Sequence, residues 1–135
     1  MANGTLTGFA IRAQGAPMWD HTYVLSSHGH SWPCWGRAAG GVPICSGVGN
    51  TDQADCLSQP SSHAGIAYGK TGVCHQTANR ILWTAGVTVS AARGYRISMF
   101  AYGVFGLDLA TLRHYSPAKF AWPEIQACWT IHVHP

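Results

Sequence analysis

The sequence predicts an α+β fold in which an antiparallel sheet packs against one central helix. Three observations carry that expectation. Two segments near the N-terminus alternate in strand fashion across a turn, one later segment repeats its apolar residues at helical spacing, and no linker or internal repeat divides the 135 residues. A chain of this length fits one domain, residues 1–135, and can bury a single core.

TLTGFAIRA, residues 5–13, sets Leu6, Gly8 and Ala10 against Phe9 and Ile11, as in a strand covered on both faces. AQGAP then turns the chain. MWDHTYVLS, residues 18–26, is a second strand, rich in the aromatic and β-branched residues that pleated surfaces favour. Trp19, His21, Tyr23 and Leu25 fall on one of its faces. SHGH forms a turn, and HSWPCWG returns as a short edge strand broken at Pro33, which has no amide to give to a ladder.

Residues 36–68 show neither period and are crowded with Gly, Ser, Asn, Asp and Pro. They read as a long functional loop carrying one short helix near 51–58. GVCHQTANRILWTAG, residues 72–86, is the central helix. Val73, Thr77, Ile81 and Ala85 form its apolar stripe, with Ala78 and Leu82 beside it. Thr71 is the expected N-cap and Gly86 the expected terminator. VTVSAA and YRISMFAYGVFG alternate, which predicts two strands joined at Arg93-Gly94. DLATLRHYS, residues 108–116, reads as a short helix opened by Asp108, and ACWTIHVHP as a closing strand.

Composition excludes several classes. Hydrophobic residues make up 47% and charged residues 10%, against about 25% charged in ordinary domains, so the chain is not disordered. A formal charge of +3 with no basic run argues against a nucleic-acid partner. No apolar stretch approaches the roughly 20 residues of a membrane span. MANGTLTGFAIRA lacks a basic start and a long apolar run, so no signal peptide is expected.

The five cysteines leave at least one thiol unpaired in a monomer. Disulfides among Cys34, Cys45, Cys56 and Cys128 and buried free thiols both fit their surroundings. Cys74 differs, because it falls in the first turn of the central helix. Free amides and the positive end of the helix dipole there stabilise a thiolate, which predicts a pKa below the roughly 8.5 of free cysteine. The same amides supply donors for an oxyanion. The competing reading is a small core cysteine. His21 sits mid-strand, a rigid mount for a general base. His30, with His28 in reserve, is the candidate that orients its imidazole and sets the tautomer.

Strand-borne His21 in WDHTYVLS, a Gly-rich loop, and Cys74 in GKTGVCHQTANRIL together resemble a circularly permuted papain-like fold. That superfamily includes permuted NlpC-like peptidases and lecithin retinol acyltransferase-like enzymes, in which the histidine precedes the cysteine. The likeness spans residues 17–86. It implies a cysteine hydrolase with Cys74 as nucleophile, His21 as base and His30 as the third residue, with no cofactor and no metal. It further implies a peptide or peptidoglycan substrate, a protein inhibitor as an allowed partner, and export by a dedicated secretion machine.

Other signals compete with it. GIAYGKTG imitates a phosphate-binding loop, but Ala64 stands where its first glycine should be. His28 and His30 with Cys34, or His132 with His134, have spacing that zinc accepts. Six Trp and five Tyr could stack on sugars in a carbohydrate-binding module. Cys34 as nucleophile would need a helix through Gly40, Gly41 and Pro43, which break one. Cys74 paired with His132 would leave no chain for an orienting residue.

Overall fold

The computed structural model describes residues 3–12, 18–29, 31–33, 36–57 and 63–107. Its architecture is α+β. A four-stranded sheet, β1 (Asn3–Arg12), β2 (Asp20–Ser26), β3 (Ser31–Pro33) and β4 (Val42–Asn50), runs in the order β3-β2-β1-β4. Every neighbouring pair is antiparallel. β3 is the short edge strand expected at Pro33, and it covers only Tyr23, Val24 and Leu25 of β2.

Three helices, α1 (Thr51–Leu57), α2 (Cys74–Ile81) and α3 (Tyr95–Tyr102), complete the described fold, with 3-10 turns at His63–Gly65 and Trp83–Ala85. The core forms where Leu6, Ala10 and Val24 of the sheet meet Cys74, Ala78, Ile81 and Leu82. Ala10 pairs with Thr22 and Gly8 with Val24, so these residues share one sheet face. Burying such side chains contributes roughly 1.5–3 kcal/mol for each large one.

α2 is the predicted central helix, shorter than expected because its last turn tightens into the Trp83–Ala85 turn and stops at Gly86, φ 69°. Its N-cap is Val73 rather than Thr71. The Thr71 hydroxyl instead accepts the Ala67 amide at 2.9 Å, and the Gln76 side chain accepts the Val73 amide at 3.0 Å. Valine carries no acceptor, so only that half of a capping box exists.

All eight residues of α2 are buried, although His75, Gln76, Thr77, Asn79 and Arg80 are polar. Burial of that kind is tolerated only when each group is bonded. Asn79 donates to the Val104 carbonyl at 2.7 Å and accepts the Val89 amide at 2.9 Å. The Arg80 guanidinium donates to the carbonyls of Ala64, Phe105 and Leu107. The polar side of α2 therefore holds irregular chain in place while its apolar side packs on the sheet.

Two expectations fail, each for a legible reason. Within the supposed loop after Gly36, Val42–Asn50 is β4, which pairs with β1 from Asn3 to Ala10. Its glycines hid the strand pattern, and they serve close packing. A Cβ on Gly47 would stand 2.6 Å from the Ala85 carbonyl oxygen, so the Trp83–Ala85 turn can approach only a bare backbone. α1 does fall within 51–58 as predicted.

The second failure is the strand expected in YRISMFAYGVFG, which is α3, while residues 87–90 form no strand. Gly94, with φ 84°, starts the helix, and Tyr95 and Ser98 bury themselves at i and i+3. Alternation over a few residues could not be told from helical spacing. The predicted helix at 108–116 and the closing strand lie outside the described residues.

Candidate active site

Among the described residues no strand pairs with β2 between Asp20 and Thr22 on its outer side, because β3 begins pairing only at Tyr23. Bare strand backbone must find partners elsewhere. The Asp20 amide donates to the Arg93 carbonyl at 2.9 Å, and its carbonyl accepts from His75 Nε2 at 2.7 Å. The Thr22 amide lies near the Cys74 sulfur and favours its charged form. The first turn of α2 therefore caps the open edge of β2, and that contact fixes where the sulfur lies.

The amides of Cys74 itself and of His75, in the first turn of the helix, favour that form likewise. Burial raises the thiol pKa above its usual value, and these donors, with the Thr22 hydroxyl, pull it only part of the way back. The depressed pKa expected from the sequence is therefore not found. A helix N-terminus lowers a thiol only when water remains, and Cys74 is 2% exposed. The Thr22 hydroxyl lies beside the sulfur but outside full hydrogen-bond geometry, with no other partner among the described residues.

His21 lies one residue along β2 and faces the other way. It pairs with Ile11, and its Nε2 donates to the Arg37 carbonyl at 2.7 Å. Its ring fills the space over Gly36, where a Cβ would approach within 2.6 Å. Burial first, with the Arg37 charge adding to it, lowers its pKa, against the carbonyl contact, which raises it. The structure does not bring the His21 ring and the Cys74 sulfur together. Adjacent residues of a strand project to opposite faces, and the thiol shares its face with Thr22.

His30 lies outside the described residues, as do Cys34, Cys128, His132 and His134. His28, the reserve, stands near Gly4 on the far end of β2, where its Nε2 would be 3.4 Å from a Cβ placed there. Among the cysteines proposed for disulfides, Cys56 is bonded and Cys45 is a free thiol, as Cys74 is. No three His, Cys, Asp or Glu side chains are grouped for a metal among the described residues.

Several residues at this edge carried no sequence signal. His75 is fully buried and stacks on Trp19, ring centroids 4.7 Å apart. Burial lowers its pKa, partly offset by the Asp20 carbonyl and carboxylate, so the ring is neutral. Nε2 then carries the proton given to Asp20, and Nδ1 stands 2.8 Å from the Ser98 hydroxyl, whose single proton it shares with the Tyr95 carbonyl 3.0 Å away. Asp20 is in turn held by Arg93 through a 3.0 Å ion pair and the Arg93 amide. Burial raises its carboxyl, and these contacts outweigh it, leaving the pKa low.

The GIAYGKTG segment leads into this site from the His63–Gly65 turn, not from a strand, so the context of a phosphate loop is missing. It folds on itself through a Tyr68–Gly72 bridge, and the Tyr102 hydroxyl donates to the Gly69 carbonyl at 2.9 Å. The Tyr68 phenol is held above its usual pKa by burial, then by the nearby Cys74 and Tyr102 groups. A tyrosine six residues before the cysteine is the signal that spacing alone did not reveal. No protein-family model, curated protein or solved structure matches this chain.

Proposed function

We propose that this chain is a cysteine hydrolase, cleaving a peptide or peptidoglycan amide by acyl transfer with Cys74 as nucleophile. One observation supports the reading above the others: Cys74 opens α2 against the bare edge of β2, where the Thr22 and His75 amides lie near its sulfur and favour its charged form. A thiol that only fills a core gains nothing from nearby amides. A thiolate gains, and so does the oxyanion formed when sulfur adds to a carbonyl. Collapse of that adduct expels the amine with a proton returned by the base, and water then releases the acid from the thioester.

His21 is the proposed base and His30 the proposed orienting residue, as the likeness to permuted papain-like enzymes implies. His21 serves only if its ring leaves the Arg37 carbonyl and crosses the edge of β2 that the sulfur occupies. The resting arrangement accordingly keeps the thiol protonated, and substrate binding has to assemble the pair.

The test is turnover of a fluorogenic peptide and of purified peptidoglycan by the wild type and by Cys74→Ala. Alanine suits a helix, so the variant should melt cooperatively and still bind substrate while turnover disappears. Unchanged turnover in a folded Cys74→Ala protein sinks the reading. So does a wild type that cleaves neither substrate and whose Cys74 resists iodoacetamide until the protein is denatured.

A further inference from the structure

Buried hydroxyls on and beside α2 find partners. Thr77 donates to the Val73 carbonyl at 3.2 Å, Thr71 accepts the Ala67 amide at 2.9 Å, and Ser98 stands between the His75 ring and the Tyr95 carbonyl. Thr22 is the exception. It is fully buried on β2, and its Oγ1 has no hydrogen-bond partner among the described residues. Keeping a hydroxyl dry and unpaired costs stability, and valine would fill the same space without that cost. β2 therefore holds here a donor that the fold does not use.

Its neighbour gives it a use. The hydroxyl borders the Cys74 sulfur, on the inner face of the sheet where Thr22 pairs with Ala10. Cys74 in turn opens α2, whose first amides lack helical partners. Two independent features thus meet at one place, a thiol at a helix start and an unpaired hydroxyl beside it. Gln53, whose side-chain amide is also unpaired, stands on α1 and is not among the groups that act on this sulfur.

We propose that the Thr22 hydroxyl is a catalytic donor, receiving the oxyanion that forms when Cys74 adds to the substrate carbonyl. The role rests on the cysteine-hydrolase reading above. As the sulfur–carbon bond forms, the carbonyl π pair moves onto oxygen. That oxygen hangs on the carbon bonded to sulfur, so it forms beside a donor that already borders the sulfur. The Thr22 hydroxyl and the Cys74 amide meet it there, and the hydroxyl breaks no existing hydrogen bond to do so. No proton leaves the hydroxyl. The thiol proton, taken by the base, departs with the amine when the carbon–nitrogen bond breaks. Thr22 and Cys74 are closed from solvent together, so the movement that admits substrate to the sulfur also uncovers the hydroxyl.

Thr22→Val and Thr22→Ser, assayed beside the wild type and Cys74→Ala, test it. Turnover of the fluorogenic peptide or of peptidoglycan by Thr22→Val should fall about a hundredfold through kcat, with KM little changed. Thr22→Ser keeps the hydroxyl and should retain most of the turnover. Alkylation of Cys74 by iodoacetamide forms no oxyanion, so Thr22→Val should slow it far less than turnover. A turnover loss no larger than the alkylation loss would mean that the hydroxyl acts on the thiolate alone, and it overturns the proposal. Full turnover by Thr22→Val overturns it too. So does a Thr22→Val protein that melts several degrees lower, because the fold itself would then be using the hydroxyl. Those results leave the hydrolase reading standing while Cys74→Ala stays inactive. A wild type without turnover, or an active Cys74→Ala protein, removes that reading and this role with it.

Discussion

The two faces of β2 carry the same kinds of residue and use them differently. On the helix side, Thr22 and Val24 meet a dry core, and the edge above them is closed by Cys74 and His75. On the other side, His21 and Tyr23 reach out to the carbonyls of Arg37 and Gly40, both at 2.7 Å, and hold a largely exposed loop. Phe9 stacks on Tyr23 there, centroids 5.1 Å apart. The inner face is bound by packing and by fully buried hydrogen bonds, the outer by two side chains gripping backbone. A strand shifted by one residue would exchange these roles, so register decides whether the imidazole or a hydroxyl meets the thiol.

The sharpest way to break that comparison is catalytic. Cys74→Ala should cut turnover by about four orders of magnitude. If substrate draws His21 across the edge, His21→Ala should cost nearly as much, and the double variant should be scarcely worse than either. A His21→Ala enzyme with full turnover would leave the outer face a purely structural role and send the search for a base elsewhere.

Stability separates the faces next. His75→Leu strands the Asp20 carbonyl, leaves the Ser98 hydroxyl to Gln76 and the Tyr95 carbonyl, and removes the ring that stacks on Trp19, a loss of about 2–4 kcal/mol by denaturant titration. Tyr23→Phe removes one hydrogen bond at the outer face and should cost only about 1 kcal/mol. Equal losses would mean that the outer loop is as deeply integrated as the core.

Acid should act first on the buried imidazoles, His75 on the inner side and His21 on the outer. His75 titrates lower in the folded protein than its ordinary pKa of about 6.5, because burial resists its charge. Below that value the unfolded chain binds more protons, so its contribution to stability, complete above it, declines as pH falls. The low Asp20 carboxyl adds a second decline, beginning below the ordinary carboxylate value near 4. Melting curves from pH 8 to pH 3 check the order, and the His75→Leu protein should show a smaller first decline, the remainder belonging to His21 and His63, whose pKa values burial also lowers. The smallest effect on stability belongs to Thr22→Val. Replacing an unpaired buried hydroxyl with a methyl should leave stability within about 1 kcal/mol, or slightly improve it, while slowing Cys74 alkylation at a given pH. Faster alkylation would mean that the hydroxyl contributes nothing to the sulfur's charge.

Local pattern was enough for β1, β2, the interrupted edge at Pro33, the short α1 and the central α2, since each rests on period, turn chemistry or a missing amide. It also placed Cys74 at the start of α2, which spacing along one helix determines by itself. Packing decided the rest. β4 is a strand because β1 offers an unpaired edge and its glycines let the Trp83–Ala85 turn come close. Residues 95–102 are a helix because Gly94 can take a positive φ and Tyr95 and Ser98 find the core together. The polar run from His75 to Arg80 is buried because carbonyls from three separate segments arrive to satisfy it. The state of the thiol belongs to that second group. Sequence put a sulfur on a helix dipole, but only the folded chain removed the water around it, and desolvation outweighs the dipole.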